Sequence, residues 1–497
     1  MTRTPVRFPD LAPWSGRAAA VVAVALLLAA CGAPEPEPTP EPTIPPRSNL
    51  LLVTIDTLRA DHLSAYGYER PTSPVIDRLA ATGVRFERPA VQWPKTGPSF
   101  ASMFTSTYSK DNGLVRRVGT PVPPEYVMLA ETLSEHGFQT GAVVANGAVA
   151  REFHFDQGFD HYVETWKVED VEGDPNRAER VTDEALALAA GLDPERPWFL
   201  WIHYLDPHFP YTPPEPFADR FVGDEHYDPT VKVDIDRSTA RKQMTGIGRE
   251  MVIDGRDELD FYVARYDGEI LYTDTQVGRL LDGFEASGLL DGTLVALTSD
   301  HGESLGEHYY YFDHGRFGFQ TCVRVPLVFH YPGVLEPHVD AEPVELIHLA
   351  PTLLDFAGVP LEAGIWKQGR SLRRRLLEID SEPEARLAFS EAGYGMNGNW
   401  QRIVQDRRYK LVLVRATAAQ RWLGGKGERW VLYDLQEDPG ETVSVVRERS
   451  EDALRLREAL LAWVNAEPYP LGAKASEEEG EMDEETRRQL EALGYLQ

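Results

Sequence analysis

Cysteine is nearly absent from this chain. Cys31 and Cys322 are the only two among 497 residues. With Cys31 in a processed N-terminus, no intrachain disulfide can form. Positive charge is scarce as well. Lys and Arg number 50 against 79 Asp and Glu, a formal net charge of −29. A surface this acidic is a poor nucleic-acid binder and repels anionic ligands. Any anion site therefore has to be made locally, by a metal ion and a few basic groups. Long apolar runs are missing too. The run from Ala18 to Ala30 is too short to span a bilayer stably, which takes about 20 residues. The sequence shows no internal repeat.

What is present begins with that run. Arg3, Arg7 and Arg17 supply positive charge around its start, and it ends in Leu28-Ala29-Ala30-Cys31. This resembles a bacterial lipoprotein signal, which implies cleavage before Cys31 and a membrane anchor through lipid on its thiol. Gly32 stands where an inner-membrane retention signal has Asp. The expected location is the bacterial cell envelope, at the outer membrane, facing the periplasm or the cell surface. Pro34 to Pro46 alternates Pro with Glu and Thr, a composition that favours an extended tether of roughly 3.1 Å per residue.

The length calls for one large α/β domain with a smaller one appended. We read residues 1–30 as the signal, 31–48 as the tether, 49–375 as the main domain, 376–470 as a C-terminal subdomain and 471–497 as an acidic tail with a terminal helix. Strand-like runs occur at Asn49 to Ile55, Thr140 to Ala145, Trp198 to Tyr204, Leu294 to Thr298 and Val325 to His330. Amphipathic stretches alternate with them at Pro74 to Ala81, Leu129 to His136 and Leu259 to Ala286. Such alternation predicts a mostly parallel sheet sandwiched by helices. Arg407 to Val414 and Trp430 to Leu435 read as antiparallel strands of a small C-terminal sheet. The polar region Phe221 to Asp257 reads as an insertion over the active-site face, and Glu477 to Glu485 as a solvated acidic run.

Ligands of open α/β sheets bind beyond the carboxyl ends of the strands. Asp56, Asp206, Asp300 and His301 each follow an apolar run. A charged group directly after a buried strand is costly unless paired, solvated or metal-bound. Several converging on one sheet edge make a site.

Five segments then resemble, in order, the sulfatase and alkaline phosphatase superfamily. They are Leu52-Val53-Thr54-Ile55-Asp56-Thr57-Leu58-Arg59-Ala60-Asp61; Lys95-Thr96-Gly97-Pro98-Ser99-Phe100; His203-Tyr204-Leu205-Asp206-Pro207-His208; Tyr266-Asp267-Gly268-Glu269; and Ser299-Asp300-His301-Gly302-Glu303-Ser304, followed by Asp313-His314-Gly315. The resemblance implies an alkaline phosphatase-like fold and a metal-dependent esterase. Sulfatases carry Cys-x-Pro-x-Arg at the second segment and convert the cysteine to formylglycine. Here Thr96 and Phe100 hold those two places, so no formylglycine is expected. Thr96 is instead expected to act as nucleophile, activated by a metal and by the helix that Pro98 helps to start. A helix-capping role for Thr96 is the alternative.

Asp56, Thr96, Asp300 and His301 are the expected metal ligands. A nitrogen ligand in the place of the usual asparagine shifts the expected ion toward zinc or manganese and away from calcium. Asp206, His208 and His314 could hold a second ion. Alternatively, His208 and His314 are anion donors or the general acid, and Asp206 is a turn residue before Pro207. Lys95 and Arg116 are weaker candidates for substrate contact. Glu303, Glu307 and His308 read as loop structure, and Trp93 as packing.

The reading is a hydrolase of phosphate mono- or diesters carried by a small molecule, glycan or lipid. A sulfate-ester hydrolase without formylglycine and a phosphoethanolamine-type transferase are the alternatives. Such transferases carry a threonine nucleophile and a similar Asp-His-Gly-Glu-Ser-Leu-Gly-Glu run, but also several N-terminal membrane helices. A non-catalytic envelope lipoprotein is the remaining reading. The retained Asp56, Asp300 and His301 argue against it. The sequence leaves the oligomeric state open.

Overall fold

Eight strands form the central sheet of the computed structural model. In chain order they are β1 (Asn49–Ile55), β2 (Val84–Ala90), β3 (Gln139–Val144), β4 (His161–Glu164), β5 (Trp198–Tyr204), β6 (Thr293–Thr298), β7 (Leu327–His330) and β8 (His338–Glu345). Their spatial order is β8-β2-β7-β6-β1-β5-β3-β4. All run in one direction except β7, which pairs antiparallel with both β6 and β2. The structure describes residues 47–495, apart from 115–118, 169–173, 175, 237–245, 363–364, 367, 379–385, 394–399, 416–426, 467–481 and 494.

The period-two rule explains the two cores. Leu50 and Leu52 of β1 point into one apolar cluster, while Leu51, Val53 and Ile55 point into the other. In β5, Phe199 and Trp201 join the first, and Leu200 and Ile202 the second. A sheet buried on both faces needs strands apolar at nearly every position, and these are. Each fully buried Leu or Ile contributes about 1.5–3 kcal/mol. The predicted mostly parallel sheet is therefore what the chain forms, with β2, β4 and β8 added. β2 and β8 mix charged residues and Pro into the strand, as in the β2 sequence Val84-Arg85-Phe86-Glu87-Arg88-Pro89-Ala90, and β4 is only the short His161-Tyr162-Val163-Glu164, which masks the apolar signal.

The C-terminal strands β9 (Ala388–Ala392), β10 (Trp400–Gln405), β11 (Tyr409–Arg415) and β12 (Glu428–Asp434) make the antiparallel sheet. Helix Ser450–Asn465 covers it, with Leu456 and Leu460 packed among Leu411, Leu413 and Leu432. Residues 221–257 carry two short paired strands, Ile235–Asp236 and Ile247–Gly248. Among the described residues, no helix is long and apolar enough to cross a membrane. The predicted leader, Cys31 and the tether up to residue 46 lie outside the described residues, as does Arg116.

Candidate active site

Because β1, β3, β5 and β6 are parallel, their carboxyl ends share one edge. Asp56 follows β1, Asn146 lies beyond β3, Asp206 follows β5, and Asp300 with His301 follows β6. Thr96 reaches the same edge after β2, as the first residue of helix Thr96–Thr105. The N-cap of that helix is Lys95, and no side chain caps it. The Thr96 hydroxyl points elsewhere, to within 3.3 Å of His301 Nε2. Phe100 explains itself as packing: fully buried, it lies against Phe104, Trp201 and His203.

Asp56, Asp300 and His301 offer ligand atoms that all lie within 4.8 Å of one another, and all three are buried. Asp56 Oδ1 and Asp300 Oδ2 have no hydrogen-bond partner among the described residues, nor does the hydroxyl of Thr57. Orphaned carboxylate oxygens in a dry interior are costly unless a cation satisfies them. The other oxygens are held: Asn146 Nδ2 donates to Asp56 Oδ2, and His301 N donates to Asp300 Oδ1. His301 Nδ1 is 2.9 Å from the Gly302 carbonyl. A proton on Nδ1 donated there leaves the Nε2 lone pair facing the carboxylates. Two open oxygens, an imidazole nitrogen and a hydroxyl fit one divalent cation.

Electrostatics agree with that fit. Burial and the neighbouring Asp56 push the Asp300 carboxyl well above its ordinary range. Burial also opposes the charge of Asp56. The His203 imidazole, 3.7 Å from Asp56 Oδ2, with His208 and His301 nearby, outweighs it and holds the carboxyl at about 2. Thr57, whose hydroxyl is one of the orphans, sits at φ 55°, in the left-handed region that a β-branched residue rarely occupies. Tyr266 of the long helix Leu259–Ala286 fastens this turn, donating to the Thr57 carbonyl at 2.7 Å. Asp267 of the same helix binds His62, Tyr68 and Arg70.

His208 Nδ1 lies 2.7 Å from the Phe209 carbonyl, so its Nε2 faces the site. His314 Nδ1 lies 3.0 Å from Glu303 Oε1, and its ring centroid lies 4.1 Å from that of His301, the rings tilted by 34°. Burial lowers the ionisation of both imidazoles, His314 furthest. Glu303, read from sequence as loop structure, is thus the carboxylate behind His314. Its loop is clamped by Arg59, which donates to the Glu303 carbonyl and to Glu307. Lys95 passes over Gly315, where a Cβ would come within 2.4 Å of its side chain. Burial lowers its ammonium, Asp313 opposes that, and its charge bears on His301 and His314.

Asp206 does not join this cluster. Its Oδ2 accepts from Ala178 N at 2.8 Å, at the start of helix Ala178–Ala190, and Arg177 lies 3.7 Å from Oδ1. Burial raises its carboxyl to about 6. Among the described residues, Asp206, His208 and His314 form no group with metal-ligand spacing. Sequence reasoning passed over Asn146, although it too follows a predicted strand. It also passed over Tyr495, whose hydroxyl lies 3.3 Å from Thr96 Oγ1 and 3.1 Å from His208 Nε2.

A threonine at a helix start, a carboxylate pair and an imidazole thus meet at one sheet edge of an alkaline phosphatase-like fold, and three of them have the spacing of a possible metal site. The sulfatase family model matches residues 48–359, and the model described as N-sulphoglucosamine sulphohydrolase, C-terminal, matches residues 306–463. The chain belongs to the sulfatase family and is one of its hydrolases. It is 25% identical to the N-acetylglucosamine-6-O-sulfatase of Bacteroides thetaiotaomicron, over 80% of this chain and 82% of that protein. It resembles a solved structure bound to its substrate D-glucosamine-2-N,6-O-disulfate, with a TM-score of 0.68 at 21% identity, covering 86% of this chain and all of that one. It also resembles the phosphonate monoester hydrolase of Agrobacterium radiobacter, with a TM-score of 0.64 at 23% identity, covering 84% and 95%.

Proposed function

We propose that the protein is a metal-dependent phosphoric ester hydrolase with Thr96 as its nucleophile. The observation that carries this is the Thr96 hydroxyl beside His301 Nε2, facing two carboxylates with open oxygens. Asp56, Asp300, His301 and Thr96 would hold the ion, with zinc or manganese preferred for the mixed oxygen and nitrogen set. When bound, the ion supplies positive charge that polarises the ester and lowers the pKa of the threonine hydroxyl. The start of helix Thr96–Thr105 adds to that charge.

Thr96 Oγ attacks phosphorus, its proton passes to Nε2 of the neutral His208 imidazole, and the bond to the leaving oxygen breaks. The departing alcohol takes a proton from His208, whose Nε2 faces the site. Water then attacks the phosphothreonine, releasing phosphate and returning a proton to Thr96. Threonine has one hydroxyl, unlike the formylglycine hydrate, so the intermediate has to break at the phosphorus.

A sulfate-ester hydrolase is the second reading, favoured by the sulfatases among the relatives. Both readings allow a small molecule, a glycan or a lipid to carry the ester. Anchoring through Cys31 at the cell envelope belongs to the same proposal. The test is turnover of 4-nitrophenyl phosphate, bis(4-nitrophenyl) phosphate, a phosphonate monoester and 4-nitrophenyl sulfate by the purified protein with zinc or manganese. Phosphoester turnover should exceed sulfate turnover. Sulfate turnover above phosphate would select the second reading, and full activity in Thr96→Ala would remove the nucleophile.

A further inference from the structure

We propose that Tyr495 is a further catalytic residue, whose phenol hydroxyl donates a hydrogen bond to the group being transferred at Thr96. The proposal rests on the reading of Thr96 as nucleophile.

The hydroxyl lies 3.3 Å from Thr96 Oγ1, 3.1 Å from His208 Nε2 and 3.5 Å from Asn146 Nδ2. Its ring packs 5.5 Å from the His208 ring and 6.2 Å from the His314 ring. His208 gives its Nδ1 proton to a backbone carbonyl, so the resting phenol proton goes to His208 Nε2. Asn146 donates to the phenol oxygen in return. A phenol ordinarily ionises only at about pH 10, so at neutral pH the proton stays on oxygen. An oxyanion donor has to stand one hydrogen bond from the peripheral oxygens of the transferred group, which sits on the atom bonded to Thr96 Oγ. A hydroxyl 3.3 Å from Oγ1 is at that remove.

The helix that delivers Tyr495 is docked as a fixed part of the site. Helix Glu484–Ala492 starts at Asp483, which caps Thr486 N and pairs with Lys167 at 2.8 Å. Gln489 Nε2 donates to the Ala145 carbonyl at 2.8 Å, the residue before Asn146. Leu490 is fully buried in the first core cluster. Gly147 makes room, since a Cβ there would come within 2.1 Å of Gln489 Oε1. A hydroxyl carried on buried contacts of this kind is present when substrate arrives. In a chain of net charge −29, a neutral donor also adds anion affinity without a further cation.

Tyr495→Phe keeps the ring against His208 and removes the hydroxyl. With zinc and 4-nitrophenyl phosphate, kcat should fall about 10²-fold while KM changes little. Inhibition by orthovanadate, a tetrahedral oxyanion, should weaken about tenfold. The basic limb of the kcat profile should shift, because His208 loses its partner. Leu490→Asp, which detaches the helix from the core, should reproduce the kcat loss while zinc still raises Tm. Wild-type or higher activity in Tyr495→Phe, or tighter vanadate binding, would overturn the proposal and make the phenol an occupant that substrate displaces. An inactive Thr96→Ala beside a fully active Tyr495→Phe sinks the donor alone. An active Thr96→Ala sinks the nucleophile reading first.

Discussion

Thr96 Oγ1 and His301 Nε2 stand 3.3 Å apart, one at the start of a helix and the other at the end of a strand. A bare hydroxyl that close to an imidazole could be activated by the ring alone, as a base. His301 Nε2 also lies 3.3 Å from Asp300 Oδ2 and 3.9 Å from Asp56 Oδ1. Among the described residues neither oxygen has a hydrogen-bond partner, which supports the proposal that Thr96 and His301 are two members of one ligand set.

Cation binding should therefore stabilise the fold. Zinc or manganese should raise Tm, and chelation should reverse it. Asp300→Asn relieves the repulsion with Asp56 in metal-free protein. That variant should be more stable than metal-free wild type by about 1–3 kcal/mol, and should lose the metal-dependent rise. Thermal scans with and without chelator read both effects. An unchanged metal response in Asp300→Asn would refute the ligand assignment.

Loss of His208 should depend on the leaving group. His208→Ala should slow an alkyl phosphate by about 10²–10⁴-fold. It should slow 4-nitrophenyl phosphate much less, since that alcohol departs without a proton. Equal losses on both substrates would show that His208 binds the anion and does not act as the acid.

Phe100→Arg restores the residue that a formylglycine segment carries, yet the position is fully buried against Trp201 and His203. An unpaired guanidinium there should cost several kcal/mol, on the order of 3–5. The expected outcome is a large loss of Tm or insoluble protein. A stable, soluble variant would show that the segment has room for the charge.

Glu345 gives a pH-dependent stability change away from the reaction. Its Oε1 accepts from Tyr108 Oη and Phe389 N, and burial raises its carboxyl from 4.5 to about 7. The folded state thus holds the proton more tightly than the unfolded one. Stability from this group is complete below about pH 4.5 and declines as pH climbs through about 7. Glu345→Gln keeps the acceptor and removes the charge. It should raise the unfolding free energy at pH 8 by at most about 3 kcal/mol, and leave it nearly unchanged at pH 4. Denaturant titrations at the two pH values measure this.

The candidate site was legible wherever a polar residue followed an apolar strand, as with Asp56 after Ile55 and Asp300 two places beyond Thr298. The bounds of β1, β5 and the long helix Leu259–Ala286 were legible for the same reason: their burial is nearly unbroken or strictly periodic. β2 and β8, the last two strands on one side of the sheet, were not, because both carry charge and Pro. Asp206 also ends a strand, but its carboxylate serves the backbone of the helix at Ala178. Strand-end position selects candidates, and only the neighbouring backbone decides between ligand and cap. Tyr495 left no signal at all. Its role comes from where the last helix docks, and nothing local in Leu493-Gly494-Tyr495 encodes that.

The docking of that helix has a consequence for biosynthesis. Asp56 is translated long before Tyr495, and Gln489 reaches back to the Ala145 carbonyl, next to Asn146. The sheet can assemble on the ribosome while the catalytic edge still lacks one wall. Every truncated product, and every nascent chain short of the last helix, would then carry the ligand set without the complete pocket.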